Sequence, residues 1–90
     1  MKKYVIERNI PKVHCMGPEE LKGAAATSND ALAKLSPRVQ WLLSYVTPDK
    51  TFCIYLAEDE DAVREHASLS GFPANVISEV TTTIDPSTAH

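Results

Sequence analysis

Hydrophobic and polar positions switch between periods of two and 3.6 four times along the chain, and these switches with the turns between them mark out the elements. From Lys3 to Asn9, "KYVIERN" alternates: Tyr4, Ile6 and Arg8 fall on one side, Val5 and Glu7 on the other. Period-two alternation with β-rich residues predicts a first strand over 3–9. "IPKVHCMG" (10–17), with Pro11 and Gly17, reads as a loop. Leu21, Ala24, Ala25, Ser28, Ala31, Leu32 and Leu35 then follow the 3.6 period, which predicts a helix over 18–35. Pro18 suits its first position and Glu19 and Glu20 its first turn. Three alanines in that stripe would let the helix lie close to what it covers.

Pro37 ends the helix. "VQWLLSYVT" (39–47) and "KTFCIYLAE" (50–58) form two strands about the turn pair Pro48–Asp49. Val63, His66, Ala67 and Ser70 share one face of a second helix, capped by Asp59 and closed by Gly71. "VISEVTTTI" (76–84) is a last strand, and the terminal "MKK" and "PSTAH" are expected to fray. The order β-α-β-β-α-β is that of the α+β, ferredoxin-like split βαβ fold, here one domain over 1–90. It implies four antiparallel strands in the order 4-1-3-2 with both helices on one face. In strict alternation Trp41, Leu43 and Tyr45 share one face of the second strand, and Leu42, Ser44 and Val46 the other. Apolar residues on both faces predict that a second copy of the sheet covers the open side, giving a homodimer.

Composition narrows the function classes. The 90 residues are 43% hydrophobic with a net charge of −3. The lysines and arginines are scattered, which argues against a nucleic-acid partner. No apolar run approaches the roughly 18 residues that cross a bilayer, and no signal peptide is recognisable, so neither a membrane partner nor export is expected. Two cysteines, Cys15 and Cys53, make no disulfide framework and fit a reducing cytoplasm.

An imidazole in an apolar stripe demands a partner. His66 is either a core histidine hydrogen-bonded to a neighbour or part of a ligand or proton-handling site above the first strand. Glu7 is the nearest carboxylate in that strand: either a solvated residue paired with a lysine or Arg8, or the co-ligand of His66. Cys53 and Tyr55 share a face of the third strand; a lone strand cysteine is a small buried hydrophobe or a thiol ligand. Trp41, Ser44 and Tyr45 join Tyr55 as candidate pocket residues. In "VHCM", His14, Cys15 and Met16 are soft donors, though adjacent ligands seldom converge on one ion. Glycine-rich phosphate loops, H-E-x-x-H, CxxC and G-x-S-x-G are all absent, and no catalytic residue is assigned.

"YVIERNIP", "QWLLSYVTPDKTFCIYLAEDEDAVREHASLSGFPAN" and the late "IDP" together resemble a small bacterial family, once a domain of unknown function, whose described members are nickel-binding proteins. The resemblance spans about residues 3–86. Its pattern falls on Glu7, Arg8, Trp41, Ser44, Tyr45, Cys53, Tyr55, Glu65, His66 and Pro73. It implies a ferredoxin-like fold, dimers joined through the sheets, and a nickel ion, with copper favoured by affinity order at such donors. On this view His66, Glu7 and Cys53 are the metal candidates, with Trp41, Ser44, Tyr45 and Tyr55 around them. Two alternatives stand beside it. One is a small-molecule-binding protein or cofactor-free enzyme of the dimeric α+β barrel type, in which a His–Glu pair and tyrosines would move protons. The other is a pure interaction module.

Overall fold

A computed structural model describes residues 1–10 and 15–90. The order is β1 (Lys2–Asn9), α1 (Pro18–Leu35), β2 (Val39–Val46), β3 (Lys50–Ala57), α2 (Glu60–Ser70) and β4 (Val76–Val80), with a 3-10 turn over Pro86–Ala89. The strands form one antiparallel sheet in the order β2-β3-β1-β4, the ferredoxin-like arrangement that the alternation implied.

The helix limits follow from their end chemistry. Asp59 caps α2 by accepting a hydrogen bond from the Ala62 amide at 2.8 Å. Gly71 ends it at φ 78°, a left-handed conformation that a Cβ would strain. Its amide donates to Ala67 O at 3.0 Å. Pro18 opens α1, where its missing N–H costs nothing.

Tyr4, Ile6, Val39, Cys53, Tyr55 and Ala57 project from the helix side of the sheet and join Leu35, Ala62 and Val63 in the core. Cross-strand partners share a face. Tyr4 lies opposite Tyr55, Ile6 opposite Cys53 and Arg8 opposite Thr51, so Arg8 continues the buried row. The other face carries Val5 opposite Ile54 and Glu7 opposite Phe52.

Three expectations change. β4 stops at Val80, not at Ile84, because its neighbour β1 runs out: Lys3 is the partner of Val80, and the strand begins at Lys2. The terminal "PSTA" does not fray but forms the exposed 3-10 turn, capped by Asp85, whose carboxylate accepts from the Ser87 amide at 2.8 Å. Strict alternation fails in β2. Its register passes from Trp41 opposite Tyr55 to Leu43 opposite Ile54, skipping Leu42. Such a bulge reverses the inside–outside phase of everything beyond it. Trp41 therefore lies on the helix side with Ser44 and Val46, while Leu43 and Tyr45 lie outside.

Candidate functional site

A cavity of about 510 Å³ opens between the N-terminal half of α1 and the sheet. Its origin is side-chain size. Ala24, Ala25 and Ser28 look down from α1 onto Ser44, Thr51 and Cys53. Short side chains on both walls do not meet across the gap, so the alanine stripe leaves space there where a close approach was expected. Leu21, Trp41, Val46 and Phe72 complete an apolar lining. Within this lining the Trp41 indole N–H donates to Ser44 Oγ at 3.0 Å, a contact made possible by the bulge at Leu42.

The polar end is built by β1, β3, α1 and α2. His66, 0% exposed, lies beneath the cavity. Its Nε2 is 3.0 Å from Tyr55 Oη and 3.3 Å from Ser28 Oγ. The Tyr55 and His66 rings are 5.1 Å apart and tilted by 52°. Arg8 is 2% exposed. Its Nη1 donates to the carbonyls of Pro73 (2.8 Å) and Phe72 (3.4 Å), and Nη2 donates to Tyr55 Oη at 3.5 Å. The connector supplying those carbonyls is held against β1: the Asn75 amide donates to Glu7 O, and Asn75 Oδ1 accepts from the Asn9 amide.

Burial, followed by the charge of Arg8, pushes the imidazole of His66 down to about 4. The ring is therefore neutral near pH 7. Burial also raises the Tyr55 phenol, against the opposing pull of Arg8. Because Arg8 donates to Tyr55 Oη, the phenolic proton is available for His66 Nε2 or for a molecule in the cavity. His66 Nδ1 is buried without a hydrogen-bond partner. No carboxylate among the described residues forms an ion pair with Arg8.

The expected site residues divide. Trp41, Ser44, Cys53 and Tyr55 line the cavity, and His66 meets Tyr55 below it. Cys53 is buried, with Sγ 3.5 Å from Thr51 Oγ1. Glu7 does not join His66. Strand alternation turns it to the outer face, where its carboxylate meets Lys50 Nζ at 3.4 Å. Tyr45 is also outside the pocket, 60% exposed and opposite Phe52, because the bulge reversed its phase. Glu65 pairs with Arg38 at 2.9 Å on the surface. Cys15 is exposed, and His14 lies outside the described residues.

Arg8 and Ser28 complete this polar end, though neither was among the ligand or pocket residues expected from the sequence. Both were visible as polar members of apolar stripes, the same signal that singled out His66. The donor set does not fit a resident metal ion. Among the described residues no three of His, Cys, Asp and Glu gather at one point, and a guanidinium occupies the polar end, where it would repel a cation. No helix among the described residues is long and apolar enough to cross a membrane.

A family model described as nickel responsive protein SCO4226-like matches residues 4–80. Among solved structures, the crystal structure of SCO4226 from Streptomyces coelicolor A3(2) is similar at a TM-score of 0.76. The match covers 91% of this chain and 99% of that one, at 14% identity. It establishes the shared fold. No curated protein sequence is significantly similar.

Proposed function

The chain belongs to the SCO4226-like family of nickel-responsive proteins, and from that premise we propose that it is a small homodimeric binding protein whose ligand is an organic molecule held between α1 and the sheet. One observation carries the reading: a cavity of about 510 Å³ with apolar walls and a convergent Arg8–Tyr55–His66 end. This is the size and the polarity pattern of small-molecule sites, far larger than a single ion requires. A bound nickel ion at His66, Glu7 and Cys53 together is not what these residues support, since Glu7 faces the other way. Of the remaining soft donors, His14 and Cys15 adjoin in the sequence and are the candidates for any direct nickel contact.

The dimer rests on a separate observation. The outer face of the sheet presents Val5, Phe52, Ile54 and Leu56, with Leu43 43% exposed and Val76 45% exposed. Packing against a second copy would remove this apolar surface from water.

Trp41 is the only tryptophan and lines the cavity, so its emission reports on the site alone. Titration with phenylacetate or benzyl alcohol is expected to give a saturable change in emission, whereas Ni²⁺ without an organic ligand gives none. Saturable quenching by Ni²⁺, with no response to either organic probe, would overturn the reading in favour of a metal centre in the cavity.

A further inference from the structure

We propose that the molecule bound in this cavity is a carboxylate, with its anionic group on Arg8 and its apolar body against Trp41, Leu21 and Phe72. The inference rests on the cavity being a ligand site and adds the chemical class of the ligand. It starts from Arg8. A guanidinium 2% exposed has lost nearly all its hydration, and a buried cation is costly unless an anion compensates it. The described residues provide no such anion: Glu7, its sequence neighbour, faces Lys50 across the sheet, and the remaining contacts of Arg8 are carbonyls and a phenol.

Those contacts also give direction. Nη1 is engaged by two carbonyls, at 2.8 and 3.4 Å, which fix the plane of the guanidinium. Nη2 has one long contact, 3.5 Å to Tyr55 Oη, and Arg8 lines the cavity. A carboxylate oxygen is the acceptor that a half-used guanidinium edge recognises best. The Tyr55 hydroxyl accepts from Arg8, and its proton serves a second ligand oxygen when the neutral His66 ring carries its own proton on Nε2 and donates to Tyr55 Oη or Ser28 Oγ. Beyond this end the walls are apolar, so a bare inorganic anion would leave most of the cavity unfilled. The rest of the ligand is therefore hydrocarbon, aromatic or aliphatic.

The test compares phenylacetate with its neutral analogue phenylacetamide on the wild-type protein, followed by Trp41 emission, with inorganic phosphate as competitor. Phenylacetate is expected to bind at least about tenfold more tightly than the amide, the usual return of a charge-assisted contact. Phosphate should not compete at equal concentration. Replacing the guanidinium by an apolar chain of similar length, Arg8→Met, should bring the two affinities together. Equal or tighter binding of the amide to wild type overturns the carboxylate assignment and leaves the cavity as a ligand site. Competition by phosphate as strong as that by phenylacetate overturns the requirement for an apolar body. Failure of both organic probes to bind overturns the ligand site itself, and this inference with it.

Discussion

Acidification from pH 6.5 to pH 4 is expected to cost the wild-type fold about 3 kcal/mol, and His66→Gln should abolish most of that loss. His66 titrates near 6.5 when unfolded and at about 4 when folded, because burial and Arg8 disfavour its cation. Between those values the unfolded chain holds a proton that the folded chain does not. Stability therefore falls as pH falls through this window and levels off below it. At about 1.4 kcal/mol per pH unit the interval amounts to roughly 3 kcal/mol, a large fraction of the 5–15 kcal/mol typical of a domain. Of the titratable groups facing the ring, Tyr55, its phenol raised by burial, titrates far above the window. Asp85, whose carboxyl is lowered by its bonds to Ser87, contributes only below its ordinary 3.8. The other two histidines are common to both proteins and cancel in the difference. Urea denaturation at half-unit pH steps reads the result. Parallel pH profiles for wild type and His66→Gln would show that His66 is not held neutral by the fold.

Ile54→Glu is expected to convert the proposed homodimer to a monomer. Ile54 sits at the middle of the outer face, between Val5 on one neighbouring strand and Leu43 on the other. A two-fold axis through this face would bring two new carboxylates, each flanked by Val5 and Leu43, into one largely apolar interface, where each loses hydration. Penalties of several kcal/mol per buried unpaired charge weaken association by about three orders of magnitude or more. The monomer fold tolerates the change, because Ile54 contributes nothing to the helix side of the sheet. Light scattering at micromolar concentration should give about twice the 9.9 kDa chain mass for wild type and the single mass for the variant. A wild-type monomer, or a variant that stays dimeric with its circular dichroism unchanged, would contradict an interface on this face.

How far such features were legible in the residues depends on what each one is made of. Helix ends were legible because they are written in single residues: Pro18, Asp59 and Gly71 each have one conformational or hydrogen-bonding reason for their place. The sheet order followed from the alternation of elements alone. The bulge at Leu42 was not legible. "WLLSY" holds no glycine or proline to mark it, and all its residues are at home in a regular strand. That one extra residue sent Trp41 into the cavity and Tyr45 out of it. The error over Glu7 has a different origin. The alternation in β1 already set Glu7 apart from Tyr4, Ile6 and Arg8, but a carboxylate is the chemically familiar partner of a histidine, and that preference outweighed the face. The cavity itself is an absence of side-chain volume shared between Ala24, Ala25 and Ser28 on one element and Ser44, Thr51 and Cys53 on others. No local pattern encodes such a coincidence.

The claim at the centre of this account is that ligand chemistry belongs to the helix side of the sheet, at Arg8, Tyr55 and Trp41, while the outer face serves assembly. Nuclear magnetic resonance of labelled protein during titration with phenylacetate tests it most directly. The account predicts a saturable shift of the Trp41 indole N–H resonance, with the Leu43 and Val76 methyl resonances unmoved. A ligand that shifts the Leu43 and Val76 methyls and leaves the indole in place would contradict it.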